Sequence, residues 1–291
     1  MLAINSLTHT PKDLCYTEQT VHLYLEVIVK NIYVARRARL ALEIGEGSVA
    51  FILGAVLSKR NSDVDYPFRQ HSDFLYLTGF SEPDALLIIE GGVCGRQILL
   101  LPPKDAKREL WDGERLGAKK AISTLGVTHA LPNTHAGYEK CNQMLSATYE
   151  RTFYQMHAPI TTTTEHLATR LFPLTFMNPD IAKEDVGKVI GEHRLFKDGY
   201  ERLVMGRAGE ISAEAHNAIL KKVRPGMYEY ELESLLGYHF RGAGGDALHA
   251  YPMIIAGGKN ACTLHYVKNS AVINNRDLVL IDAGCEYHGY A

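Results

Sequence analysis

The chain has 291 residues, of which 46% are hydrophobic and 22% charged, and its formal net charge is -2 at pH 7. This near-neutral composition gives no reason to expect a nucleic acid or a membrane surface as a partner. Single domains usually stop growing at about 100 to 200 residues, so the length predicts two packed domains.

Cysteine usage and the start of the chain predict a cytoplasmic location. The five cysteines are spread singly, without a Cys-x-x-Cys pair, which is typical of a reducing compartment and predicts buried thiols. The apolar run Val21–Val29 contains His22 and Glu26 and is far shorter than the ~20 residues of a membrane span. It also lacks the basic flank and cleavage site of a secretory signal.

The first part of the chain predicts an α/β domain over residues 31–185. Residues 1–30 carry no clear period and form an extension of unclear role, and the first helical pattern is the basic run Ala35–Leu42. Apolar runs then alternate with turn clusters and helix-like stretches, which predicts a mixed sheet. Its predicted strands include Val49–Leu53, Ala85–Glu90 and Gln97–Leu101. The segments Thr161–Thr164 and Asn178–Asp180 are candidate linkers.

A second domain is predicted over residues 186–291. From Glu201 to Val223 apolar residues recur every three or four positions, which predicts a helix with one buried stripe that ends at Pro225-Gly226. A second amphipathic helix is predicted from Glu229 to Phe240. The strand-like runs that follow are Tyr251–Ala256, Thr263–Val267 and Leu278–Ile281.

Asp282 is the first candidate site residue. It follows four apolar residues that predict a strand buried on both faces, and a carboxylate at the end of such a strand emerges at the sheet rim, where ligands can reach it. The small pair Ala283-Gly284 leaves space beside it. The alternative interpretation is an Asp that caps a turn.

His265 is the second candidate. Its strand-like run is joined to the Asp282 strand by one connection around Asn274-Asn275. If the two strands pair antiparallel, both side chains approach one cleft, where a neutral imidazole can donate to a substrate carbonyl or amide near a metal held by carboxylates. The alternative is a structural histidine.

Together these runs resemble the aminopeptidase P family, within the creatinase, prolidase and methionine aminopeptidase superfamily. The likeness rests on Leu264-His265-Tyr266 followed by Asp277–Tyr290 (DLVLIDAGCEYHGY). Matching runs upstream are Asp65–Phe80, Glu82-Pro83, Arg194–Lys197, Arg207–Ser212, Ala215-His216 and Arg224–Met227. The resemblance extends over roughly residues 33–291.

The resemblance implies an α/β (α+β) fold, with a creatinase-type N-terminal α/β domain followed by the first part of a pita-bread metallopeptidase domain. It implies a homo-oligomeric metalloaminopeptidase that releases the N-terminal residue from peptides with proline at the second position. The family uses two divalent ions, usually Mn²⁺, held by two Asp, one His and two Glu, with a hydroxide that attacks the scissile carbonyl. Asp282 matches the first metal-binding Asp, and His265 matches the histidine that contacts substrate without binding metal.

The sequence also departs from the family pattern. The second metal-binding Asp is expected about eleven residues after the first, in a Gly-Asp-x-Thr-Arg type run, and this chain stops at Ala291. The other ligands lie further on, so the sequence is expected to be truncated and, as given, inactive. The region Gly242–Pro252 differs from the family's His-Gly and Pro-Ser-Tyr pattern, so His249 receives no catalytic role by analogy.

Two rival functions remain at this point. A prolidase-type dipeptidase is the close rival, although the runs Arg69–Phe74 and Leu280–Tyr287 favour aminopeptidase P. The other is a non-catalytic peptide-binding protein that kept the fold and lost its metals.

The only tryptophan, Trp111, lies in the polar run Lys107–Gly113. An aromatic side chain is unfavourable there unless it packs on something. We interpret Trp111 as a substrate-binding residue that covers the mouth of an active site. In a homo-oligomer, that active site belongs to a neighbouring subunit. The alternative is packing inside its own domain.

Overall fold

The computed structural model describes residues 18–145, 149–155 and 182–291, with side chains from residue 29 onward. The candidate linkers Thr161–Thr164 and Asn178–Asp180 lie outside these residues. Within the described part of the chain, no helix has the length and apolar character needed to cross a membrane.

The first part of the chain folds around a six-stranded sheet in the order β6-β5-β4-β1-β7-β8. Strand β4 pairs antiparallel with β1 and β5, and the other three pairings are parallel, so the predicted mixed sheet is confirmed. Its strands are β1 Ser48–Leu53, β4 Leu86–Glu90, β5 Gln97–Leu101, β6 His129–Pro132, β7 Arg151–Tyr154 and β8 Ala182–Asp185, and a small separate hairpin is made by β2 Lys59–Asn61 and β3 Val64–Asp65. The helices are α1 Glu18–Ile44, α2 Ser72–Thr78, α3 Ala106–Asp112, α4 Gly117–Leu125, α5 His135–Met144 and α6 Val186–Leu195.

Both faces of this sheet are covered. Successive side chains of a strand point to opposite faces, and in β1 Val49 and Phe51 join a cluster with α5, whereas Ala50 and Ile52 join a larger cluster with α1, α2, α4 and α6. Helix α6 starts directly after residue 185 and packs against the first domain's sheet through Val186 and Ile190.

Helix α1 is longer than its sequence pattern predicts, because it begins at Glu18 and continues through the basic run. Part of that run is buried. The guanidinium of Arg37 is fully buried and donates to the carbonyl oxygens of Leu77 and Leu125 at 2.7 Å and to Oε1 of Gln97 at 2.6 Å. Burial lowers the pKa of Arg37 to about 10. The buried charge of Arg37 therefore holds α1 against the rest of the domain.

The second part contains helices α7 Gly199–Leu220 and α8 Glu229–Gly242, strands β9 Ile254–Gly257 and β10 Val279–Asp282, and a 3₁₀ turn at Gly258–Cys262. Both predicted helices are confirmed. Asp198 caps α7 by accepting from Glu201 N at 2.9 Å. The predicted stripe of α7 is buried at Val204, Ala208, Ile211, Ala215 and Ile219, and the last three pack in one cluster with residues of α8 and β9.

Two predictions about this part and one about the cysteines of both parts are wrong. The segment Thr263–Val267 is not a strand, and β10 pairs antiparallel with β9. Strand β10 is not buried on both faces, since Val279 and Ile281 are half-buried whereas Leu280 and Asp282 are exposed. The cysteines are not all buried: among those described, Cys141 and Cys285 are buried, and Cys94 and Cys262 are exposed.

Candidate active site

Asp282 lies at the end of β10, opposite Ile254 of β9. Its carboxylate is exposed, and Oδ1 accepts a hydrogen bond from the hydroxyl of Tyr251 at 2.6 Å. That hydrogen bond, helped by burial, raises the pKa of Tyr251 to about 12. Tyr251 therefore remains a neutral donor at ordinary pH and orients one oxygen of the carboxylate.

The backbone after Asp282 is held closely. Ala283 O lies 3.0 Å from Nε2 of His216 on α7, and Cys285 N donates to Ser212 Oγ at 3.0 Å. A Cβ added to Gly284 would lie 3.4 Å from the Tyr251 ring, an ordinary van der Waals distance. The Tyr251 ring thus lies directly beside the backbone that follows Asp282.

His265 is exposed and makes no hydrogen bond to any residue that the structure describes. The expected pairing of its segment with the Asp282 strand is wrong, so the predicted approach of His265 to Asp282 does not arise from strand pairing. His265 instead lies on an irregular segment between the 3₁₀ turn and Ala271. Its neighbour Tyr266 is fixed by a 2.8 Å hydrogen bond from its hydroxyl to Oε2 of Glu229.

Glu229, the first residue of α8, is fully buried. Burial by itself raises the pKa of its carboxyl, but hydrogen bonds from Gly257 N, Asn260 Nδ2, Ala271 N and the Tyr266 hydroxyl outweigh burial and hold the pKa below its usual range. The carboxylate is therefore ionised inside the domain and organises the segment that carries His265.

His249 is half-buried and packs against Phe240 of α8. Its ring lies edge-on to Phe240 at 5.6 Å, and its backbone bridges to Cys285. Burial lowers the pKa of His249, with a smaller opposing effect of Glu233. These contacts are those of a structural imidazole.

Trp111 lies near the end of α3 with 85% of its surface exposed. The adjacent Leu110 is 83% exposed. The alternative interpretation, that Trp111 packs inside its own domain, is therefore wrong.

Ion pairs join the two parts of the chain near the site. Nε of Arg69, just before α2, donates to Oε1 of Glu286 at 2.8 Å, four residues after Asp282. Arg36 of α1 pairs with Asp198 at 2.7 Å and lies 4.1 Å from the Tyr76 ring centroid. The N-terminal domain thus braces the chain that leaves the Asp282 strand.

Family profiles match both halves of the chain. One that describes the N-terminal domain of aminopeptidase P matches residues 33–153, and one for metallopeptidase family M24 matches residues 204–291. The Xaa-Pro aminopeptidase of Escherichia coli strain K12 is 36% identical over 273 residues, which are 91% of this chain and 60% of that relative. The chain belongs to the aminopeptidase P family.

Solved structures agree with this membership. The chain is similar to proline aminopeptidase P II from Yersinia pestis, with a TM-score of 0.83, 36% identity, and coverage of 90% of this chain and 61% of that one. A structure of Escherichia coli aminopeptidase P with the inhibitor Pro-Leu gives a TM-score of 0.81 at 35% identity, covering 90% of this chain and 60% of that one. The expected α/β fold is confirmed. This member of the family spans about 60% of the length of these relatives.

The family is one of metallopeptidases, and its metal chemistry fits Asp282 in part. The carboxylate is exposed, and its Oδ2 accepts no hydrogen bond from a described residue, so a hard cation can reach it. No group of three or more His, Cys, Asp or Glu side chains in the described residues is arranged to hold a metal ion. A metal ion bound by Asp282 would therefore need further donors.

Three features that shape the candidate site were not recognised from the sequence of this family member. Each makes its contact with a residue far away in sequence: Tyr251 and Asp282, for example, are 31 positions apart. The three are Tyr251, Glu229 and the pair Arg69–Glu286. The available signal was an acidic residue at the start of a predicted helix, as at Glu229. A helix N-terminus, however, favours Glu in any case.

Proposed function

We propose that this chain is the N-terminal domain and the first part of the catalytic domain of a metalloaminopeptidase that releases the N-terminal residue from peptides with proline at the second position. The observation that carries the proposal is the exposed Asp282 carboxylate, oriented by Tyr251 at the end of β10. It lies within the part of the chain that matches metallopeptidase family M24.

In this proposal Asp282 holds one of two divalent ions, Mn²⁺ in this subfamily, together with donors outside the described residues. When bound, such ions supply an activated water and polarise the scissile carbonyl. Tyr251 keeps Oδ1 of Asp282 in place, which leaves Oδ2 free for the ion. His265 binds the reacting peptide group by donating a hydrogen bond to it from an exposed segment, and it takes no part in metal binding.

We also propose the substrates, the location and the oligomeric state of the enzyme. The substrates are peptides, the location is the cytoplasm, and the working form is a homo-oligomer. Trp111 supports the last point, since an indole with 85% of its surface exposed gains most from packing on a second copy of the chain. There it covers the mouth of the neighbouring active site. The 291-residue chain alone is inactive in this proposal, because Asp282 is its one family-matched metal ligand.

The test is a fusion of this chain to the remaining C-terminal part of the Escherichia coli Xaa-Pro aminopeptidase, assayed with Mn²⁺. We expect cleavage of an Xaa-Pro-Yaa tripeptide and its loss in Asp282→Asn. Preference for the Xaa-Pro dipeptide would identify a prolidase-type enzyme instead. A well-folded fusion that binds the tripeptide without cleaving it would favour a non-catalytic peptide-binding protein.

A further inference from the structure

Each oxygen of the buried Glu229 carboxylate accepts two hydrogen bonds, and all the donors lie in a single segment of the chain. A buried ionised group is costly unless donors surround it. The four donors are Gly257 N at 2.8 Å and Asn260 Nδ2 at 3.0 Å on Oε1, and the Tyr266 hydroxyl and Ala271 N, each at 2.8 Å, on Oε2. All belong to the segment 257–271, which carries His265 in its exposed part.

A second buried side chain fixes the same segment. Oδ1 of Asn269 accepts from Ile255 N at 2.9 Å, and its Nδ2 donates to Met253 O at 3.0 Å. The amide thus pairs with the backbone at β9 as a neighbouring strand would. Its backbone has φ +45°, a conformation that asparagine tolerates better than most residues. Glu229 and Asn269 therefore hold the segment from two sides.

Between these anchors, His265 has no partner of its own among the described residues. Leu264 beside it is 90% exposed and contributes no packing. The position of the imidazole therefore depends on the backbone at Tyr266, whose hydroxyl is fixed by Glu229.

We propose that Glu229 is a positioning residue that fixes the segment 257–271 and, through Tyr266, places the His265 imidazole before substrate arrives. Holding a polar group in advance removes the cost of ordering it during the reaction. The catalytic consequence rests on the proposed function; the structural one does not.

The test uses Glu229→Gln in the 291-residue chain. The amide has the same shape, but its NH₂ faces two of the four donors and cannot accept from them. We expect hydrogen exchange at Gly257 and Ala271 to become at least about tenfold faster, while the melting transition stays cooperative. Glu231→Gln is the matched control, because Glu231 is an exposed carboxylate on the same helix that accepts from Tyr228 N at 2.7 Å. It should leave exchange at 257–271 unchanged.

A second variant keeps the test decisive if Glu229→Gln does not fold. Tyr266→Phe removes one donor and leaves the carboxylate three partners, so we expect faster exchange at Ala271 and a shifted NMR signal of the labelled His265 ring. Unchanged exchange and an unchanged ring signal in folded variants would overturn the proposal. A loosened segment combined with full activity of His265→Ala in the fusion enzyme would leave Glu229 as an anchor and reject the proposed role of His265.

Discussion

At the scale of single residues, the Asp282–Tyr251 pair controls how the exposed carboxylate is presented. The phenol donates to Oδ1 at 2.6 Å, and its ring lies beside Gly284. A carboxylate with one oxygen fixed in this way has a defined direction in which the other can bind a cation.

The coupling between these two groups can be measured as a pKa. Asp282→Asn removes the charge that disfavours the phenolate, so the pKa of Tyr251 should fall from about 12 towards its ordinary value of about 10. NMR of tyrosine labelled at Cζ follows this titration, with Tyr251→Phe assigning the signal. Asp277→Asn, at the opposite end of β10, is the control and should not move it. An unchanged pKa in Asp282→Asn would mean that the hydrogen bond does not persist in solution.

His265 is expected to act on substrate and not on metal. In the fusion enzyme, His265→Ala should lower kcat/KM by roughly 10²-fold, as expected when a positioned hydrogen-bonding group is lost, and should leave bound Mn²⁺ unchanged. Metal content and kinetics are measured on the same sample. His135→Ala, an exposed histidine on α5, should have no effect. Loss of metal in parallel with activity would instead indicate a ligand.

At the scale of elements, the sequence pattern predicted those helices and strands whose side chains pack in a core. The stripe of α7 was found because its burial repeats with the helical period, and β1, β4 and β5 were found because strands covered on both faces are continuous apolar runs. The same reasoning failed for Thr263–Val267. Its β-branched and aromatic residues are typical of a strand, but the side chains of Glu229 and Asn269 make the hydrogen bonds that hold this segment. Such contacts between distant residues leave no local pattern.

For the candidate site, the sequence predicted only the residues that belong to a single local motif. Asp282 was identified as a carboxylate at a strand end, and the structure places it there. Its hydroxyl partner Tyr251 is contributed by the segment before β9, and the brace at Glu286 by the N-terminal domain. These relations depend on the assembled fold, so one sequence could not provide them.

The brace between α2 and the exit of β10 should contribute measurable coupling. A double-mutant cycle with Arg69→Ala and Glu286→Gln is expected to give about 1 kcal/mol, less than for a buried pair because Arg69 is partly exposed. Urea unfolding measures it. The exposed pair Arg108–Asp112, at 3.8 Å on α3, is the control and should give a coupling near zero. Equal values for both pairs would remove Arg69 as a domain brace.

At the scale of the whole molecule, the two parts are tied together by charges that are partly or wholly shielded from water. Arg36 is 5% exposed and pairs with Asp198 and Glu201 at the start of α7, while Arg69 pairs with Glu286 after β10. Such pairs are directional, so they fix how the domains meet more than they add to stability. The surface left open includes Trp111.

Trp111 provides a test of assembly. In the fusion enzyme, Trp111→Ala should lower kcat/KM by about tenfold or more, as for an aromatic anchor at an interface, with little change in the melting temperature, as for an exposed side chain. Light scattering reports the oligomeric state. Phe196→Ala removes another aromatic that is 87% exposed and should be neutral. A lower melting temperature with unchanged kinetics would reject the role at a neighbouring site.

The last prediction concerns metal binding by the chain itself. A divalent ion held by the single carboxylate of Asp282 keeps most of its water shell, so the 291-residue chain should bind Mn²⁺ more weakly than about 1 mM and should not cleave an Xaa-Pro-Yaa peptide. In the fusion enzyme the added donors fix the ions beside Asp282, and binding should become stoichiometric. Asp282→Asn should then weaken binding in the fusion and change little in the short chain. Electron paramagnetic resonance of free Mn²⁺ measures both. Stoichiometric metal and turnover by the 291-residue chain alone would contradict this account, because they would require ligands other than those that the family pattern assigns.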